Sequence, residues 1–106
     1  MKLAHEADIE CEKRAGQKGF VHACDLVDEA NFLLGVRWID PDSIVPQKPH
    51  RHPLKQANYI IEGTGTVTNG KETLSFRPGD ILLMDGNEEH YFSTASGIKM
   101  IEIRYR

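Results

Sequence analysis

From Gly19 onward the chain is a succession of short runs rich in branched and aromatic residues, each closed by a turn signal, and no stretch sustains a helical period. Residues 31–39 (NFLLGVRWI) stop at Asp40-Pro41-Asp42-Ser43, and residues 57–62 stop at Gly63-Thr64-Gly65. Pro46 and Pro49 keep the segment between them extended, because proline fixes φ and biases the preceding residue away from helix. Residues 66–68 and 72–76 flank Asn69-Gly70, the pair best suited to the two left-handed positions of a type I′ hairpin turn. Arg77-Pro78-Gly79-Asp80 marks another turn, and residues 81–84, 90–93 and 98–105 complete the strands. Seven or more short strands with turns between them argue for an all-β sandwich or barrel. Residues 5–15 are rich in Ala and Glu but lack an apolar stripe, so residues 1–19 read as an arm with a short helix at best. Residues 20–106 then form one β domain, a size at which a single core is enough.

Within that pattern the histidines stand out. His50-Arg51-His52 is an HxH, and residues two apart in an extended strand point to one face, so both imidazoles can converge on one ion. Gln56 follows four residues after His52, with Pro53 giving a reason for the chain to bend between them. His90 lies 38 residues beyond His52, at the start of a strand that a barrel can bring close. Three imidazoles and one amide oxygen suit a divalent transition metal such as Fe, Zn, Ni, Mn or Cu. Imidazole binds these ions as the neutral base, so affinity should fall below about pH 6.5. The plainer alternative is a set of ordinary histidines on a strand surface.

These residues resemble the cupin family. The family's first motif, G(x)5HxH(x)3–4E(x)6G, is matched by His50-x-His52-x3-Gln56-x6-Gly63, except that Ile44 stands at the leading glycine and Gln56 at the glutamate. Residues 59–65 (YIIEGTG) look like the strand and turn that follow it. The second motif, G(x)5PxG(x)2H(x)3N, is degraded. Counting from Gly79 puts His90 at the metal-binding histidine, but Asp85 and Asn87 replace the proline and glycine, and Thr94 the asparagine. The resemblance implies a small antiparallel jelly-roll β-barrel with metal ligands His50, His52, Gln56 and His90. It also implies either a metal-dependent enzyme of dioxygenase, isomerase, epimerase or lyase type, or a non-catalytic sugar or metabolite sensor, or a cupin that has lost its metal.

Glutamine in place of glutamate changes the charge of such a site. A divalent ion held by neutral ligands keeps its full charge, polarises a bound carbonyl more strongly, and attracts an anionic ligand. The same substitution lowers metal affinity and removes a general base. Asn58 shares parity with Gln56 and is expected to line the pocket. Phe92 shares parity with His90 and suits the core or the pocket wall. Arg37 sits amid an apolar strand, where it either reaches into the barrel mouth to bind a substrate carboxylate or lies outside and pairs with Glu102 or Asp40; the outer placement is the one expected. Trp38, Tyr59 and Met100 are read as core or dimer-interface residues, and His22, Glu88 and Glu89 as ordinary polar residues.

Composition excludes some partners. Thirteen Lys and Arg against 16 Asp and Glu give a formal charge of −3, and the basic residues are scattered, so neither nucleic acid nor an anionic membrane is expected. No apolar run approaches a membrane span, and residues 1–12 carry no secretory signal, so a cytoplasmic protein is expected. Cys11 and Cys24 are accordingly read as reduced thiols. The expected partners are a small-molecule ligand and a second copy of the chain.

Overall fold

The computed structural model describes residues 1–49 and 52–106. Among the described residues a single turn of 3-10 helix at Glu6–Asp8 precedes ten strands: β1 Glu12–Ala15, β2 Phe20–Glu29, β3 Phe32–Ile39, β4 Ser43–Val45, β5 Lys55–Glu62, β6 Gly65–Thr68, β7 Thr73–Phe76, β8 Ile81–Met84, β9 Tyr91–Thr94 and β10 Ile98–Tyr105. Six form one sheet in the order β1-β2-β3-β10-β5-β8, and four form another in the order β4-β9-β6-β7. Every described strand pair is antiparallel. The two sheets face each other as a jelly roll with open edges rather than a closed ring.

The core lies between the sheets and is built from Ile39, Val45, Ile60, Val67, Phe76, Leu82, Met84, Phe92, Ile98 and Met100. Alternation along each strand supplies it: β10 buries Ile98, Met100 and Glu102 and turns Lys99, Ile101 and Ile103 outward. Full burial of a side chain such as Ile60 or Met100 is worth roughly 1.5–3 kcal/mol. Among the described residues no helix is long and apolar enough to cross a membrane.

Three local readings of the sequence are corrected. The arm carries a strand: β1 pairs with β2 in the register Glu12↔Ala23. That register continues one step to set Cys11 opposite Cys24, and the two form a disulfide rather than a pair of free thiols. The thiol reading rested on the lack of a secretory signal, and nothing in the pattern set Cys11 beside Cys24, because β1 has no apolar alternation to announce it; its residues Glu12, Lys13, Arg14 and Ala15 are all exposed. The hairpin at Asn69-Gly70 is not a two-residue turn, since Thr68 pairs with Thr73 across four loop residues. Gly70 takes the left-handed conformation at φ 89°. The Asn69 side chain accepts from the backbone N–H groups of Lys71 and Glu72, so the amide rather than a left-handed Asn backbone closes the loop. Of the residues read as core or dimer-interface, Trp38 and Tyr59 are 37% and 45% exposed on the outer face of the larger sheet, outside the core. Met100 is buried as expected.

Candidate functional site

β5 and the loop that precedes it carry His52 and Gln56, and the loop from β8 to β9 carries His90. These segments are tied together at the backbone, where Asn87 N donates to His52 O at 2.6 Å. Gly86 permits the approach: a Cβ there would stand 2.5 Å from Pro53 O. The loss of the second motif's proline and glycine therefore leaves the turn intact, with Asn87 in the left-handed region at φ 60°.

Each imidazole is oriented by its Nδ1. His52 Nδ1 donates to Leu54 O at 2.9 Å, and His90 Nδ1 donates to Glu88 O at 3.2 Å. A carbonyl can only accept, so in the neutral rings both Nε2 atoms carry lone pairs. Those atoms converge on one carboxamide: His52 Nε2 lies 3.2 Å from Gln56 Oε1, and His90 Nε2 lies 3.4 Å from Gln56 Nε2. The orientation of the Gln56 amide is itself fixed, because its Nε2 donates to Asn58 Oδ1 at 2.8 Å and to Glu102 Oε1 at 3.1 Å. Gln56 Oε1 and His52 Nε2 thus oppose each other as two acceptors, an arrangement that a cation bound to both would reconcile. Backbone carbonyls holding Nδ1–H are the usual means of presenting Nε2 to a metal. The donor set therefore fits a divalent ion of the imidazole-binding kind. Among the described residues no three His, Cys, Asp or Glu side chains gather into a metal-holding group. His50, the remaining ligand expected from the sequence, lies outside the described residues.

Behind the amide is a buried ionic cluster that the sequence reading did not assemble. Asn58, fully buried, donates to Glu102 Oε1 at 3.2 Å and to Met100 Sδ at 3.4 Å. Glu102 is 4% exposed and faces two guanidiniums, with Arg37 Nη2 and Arg104 Nη2 each 3.1 Å from its Oε2. Burial pushes the Glu102 carboxyl up, but Arg37, Arg104, the Asn58 amide and the nearby His90 outweigh it and hold the carboxyl below its ordinary value. Arg37 also pairs with Asp25. Arg37 pairs with Glu102 as expected but points inward rather than outward; the parity of β3 puts it on the face of Leu33 and Ile39, and two carboxylates make its burial tolerable.

The fold thus brings together His52, Gln56, Asn58, His90 and Phe92, whose ring meets His90 edge-on at 5.5 Å and Phe76 at 6.1 Å. Asn58 is sealed behind Gln56, whereas Arg37, His90, Phe92, Glu102 and Arg104 border a cavity of about 250 Å³. Glu102 and Arg104 were legible in principle, since they share parity with Met100 in a strand that lies between β3 and β5. His22 is satisfied by Asp40 at 3.0 Å, away from this site.

Comparison with known proteins agrees with this architecture. Residues 39–103 match the family model described as Cupin domain. A curated relative, L-ectoine synthase from Mycolicibacterium gilvum, is 36% identical over 76 residues, covering 70% of this chain and 57% of the relative. The chain spans little more than half the length of that protein. Among solved structures, the polyketide cyclase RemF from Streptomyces resistomycificus superposes with a TM-score of 0.80 at 23% identity, covering 99% of this chain and 79% of that one. A predicted oxalate decarboxylase from Thermotoga maritima gives 0.85 at 18% identity and covers 98% of both chains. On the match across most of its β domain, and on the jelly roll it forms, this chain belongs to the cupin family.

Proposed function

We propose that this cupin is a small metal-dependent enzyme, with His52, Gln56 and His90, together with His50, holding one divalent transition metal. The observation that carries this reading is the convergence of His52 Nε2 and His90 Nε2 on the Gln56 carboxamide, with both Nδ1 atoms committed to backbone carbonyls. A bound ion would supply Lewis acidity toward the carbonyl or enolate oxygen of a small oxygenated or anionic metabolite. The chain's own residues would do the rest. Gln56 presents a neutral oxygen whose direction is locked by Asn58 and Glu102. Phe92 and Met100 form an apolar wall beside His90, which excludes water and strengthens electrostatic interactions within the cavity. The relationship to a protein named L-ectoine synthase supports an enzyme over a sensor.

The test is metal analysis of the purified protein before and after reconstitution with Fe, Zn, Ni and Mn. About one ion per chain is expected, lost in His52→Ala. Less than about a tenth of an equivalent after reconstitution would overturn the reading.

A further inference from the structure

Residues 1–15 lie against the β domain with little of their own to hold them there. None of them is buried, and only Ile9 is partly so. Their restraints are the four-residue ladder of β1 on β2, the partly exposed Glu6–Lys99 ion pair at 3.0 Å, and the Cys11–Cys24 disulfide. A short edge ladder without an apolar face is marginal in water, and an exposed ion pair adds little. The disulfide is therefore the strongest of the three. Beyond Ala15 the chain is fastened differently. Gly16 N donates to Gly19 O, Gln17 N to Ile44 O, and Ile44 N to Lys18 O, each at 2.8 Å. Gly16 sits so close to Ile44 O that a Cβ has no room, which makes it a fixed point at the end of the arm.

The arm also forms part of a wall. Arg14 and Ala15 border the cavity beside His90. The Glu12 hydrogen bond, and more weakly the charges of Asp25 and Glu102, hold the Arg14 guanidinium above its ordinary value despite partial burial, which sets this side chain beside the buried ionic cluster. The disulfide itself is open to reagents. Cys11 is exposed, and both cysteines line a depression of about 570 Å³ on the outer face with His22, Trp38 and Asp40.

We propose that the Cys11–Cys24 disulfide is a redox-operated latch: a dithiol reductant opens it, residues 1–14 swing about Gly16, and the cavity beside His90 loses Arg14 from its rim. The latch rests on the proposed function for its purpose, because that reading makes the cavity matter, but not for its mechanics. A thiolate of the reductant attacks Cys11 Sγ, the accessible sulfur, since Cys24 is 2% exposed. The S–S bond breaks, and Cys24 leaves as a thiolate that takes up a proton. The reductant's second thiolate then attacks its own first sulfur, and Cys11 leaves in the same way. The protein gains two electrons and two protons, and the dithiol that lost them becomes a disulfide. Residues 16–19 stay on β4, so the arm pivots rather than detaching.

The experiment uses the full chain in its oxidised form, with no metal needed. Maleimide uptake counts free thiols, amide exchange follows the arm, and a soluble neutral nitroxide reports the exposure of the Met100 methyl group, which lines the cavity and is 2% exposed when the latch is closed. At about 1 mM dithiothreitol, both cysteines should take up maleimide while the amides of β3 and β10 stay protected. Residues 6–14 should exchange about tenfold faster, and nitroxide relaxation of the Met100 methyl should rise about twofold or more. Reoxidation should restore both. The double variant Cys11→Ser, Cys24→Ala should show the loose arm with or without reductant. Should it fail to fold, the cycle of reduction and reoxidation in the unaltered chain is the test by itself. Cysteines that resist the reductant until β3 and β10 lose protection, an arm that keeps its protection once both thiols are free, or a loosened arm with unchanged Met100 relaxation would each overturn the proposal. A chain that shows all three changes yet takes up no metal would refute the proposed function alone.

Discussion

Gln56 Nε2 donates to Glu102 Oε1 across 3.1 Å, so a carboxylate stands directly behind the position where the first cupin motif would place one. The charge absent from position 56 is held one strand away on β10, where Arg37 and Arg104 match it. The carboxylate thus contacts Gln56 from behind, on its Nε2 side. This arrangement orients Gln56 Oε1 toward His52 while leaving it a neutral donor.

Replacing that amide tests the relationship. Gln56→Glu would put a second carboxylate beside Glu102 Oε1 and against Asn58 Oδ1, both acceptors. The metal-free variant should lose about 2–4 kcal/mol of stability, because like charges and acceptors would meet in a buried site. With metal present the order should reverse, since the new carboxylate adds a charge at contact distance from the ion and tightens its binding. Denaturant titrations with and without metal measure both effects. An unchanged metal affinity in the folded variant would count against Gln56 as a ligand.

Glu102 should matter for stability, because it is buried within β10 against two guanidiniums. Glu102→Gln would leave Arg104 without its ion pair and Arg37 with Asp25 alone. Removing one partner of a buried pair typically costs about 3–5 kcal/mol, because the remaining charge stays buried. A value near 3 kcal/mol is expected here, since Asp25 still partners Arg37. Loss of less than about 1 kcal/mol in urea denaturation would show that solvent reaches the cluster and screens it.

The sequence conveyed the strands of this fold better than the polar contents of its interior. Strands β8 and β10 begin where their turn residues place them, because Pro78-Gly79 and Gly97 stand just ahead of strongly alternating runs. The convergence of His52, Gln56 and His90 was likewise legible from spacing. Glu102 and Arg104 share the parity of Met100, but a charged residue in a strand usually faces water, and only the neighbours β3 and β5 on either side show that this face is the inner one. β1 was missed for a related reason. It lies at the sheet edge with no face buried, so no hydrophobic period marks it.

A homodimer is expected through the outer face of the larger sheet. Tyr59 is 45% exposed, Ile81 61% and Leu83 73%, and their registers adjoin, with Tyr59 opposite Ile81 and Ala57 opposite Leu83. Ile101 and Ile103 extend the same apolar stripe into β10. β8 is also an edge strand, which would otherwise invite uncontrolled pairing. Light scattering at micromolar concentration should give twice the chain mass, and Leu83→Lys should shift it to the monomer. A monomer mass for the unaltered chain would refute the expectation.

The Cys11–Cys24 disulfide should secure both the arm and one wall of the cavity. It closes a loop with a sequence separation of 13, for which the chain-entropy account gives about 3 kcal/mol. β1 buries nothing of its own, so the cross-link and the pairing with β2 are its main restraints. Arg14 and Ala15 of this strand border the cavity. Cys11→Ser is the cleaner variant, because Cys11 is exposed whereas Cys24 is 2% exposed and tolerates remaining as a buried thiol. The expected loss is about 2 kcal/mol, or roughly 10 °C in Tm for a domain of this size. Amide exchange should separate two accounts of that loss. If the disulfide holds β1 in place, the amides of β1 should exchange faster in Cys11→Ser while those of β3 and β10 keep their relative order. If β1 stays protected in the variant and Tm falls by less than about 2 °C, the strand is held by its pairing with β2 alone, and the cross-link has no structural role.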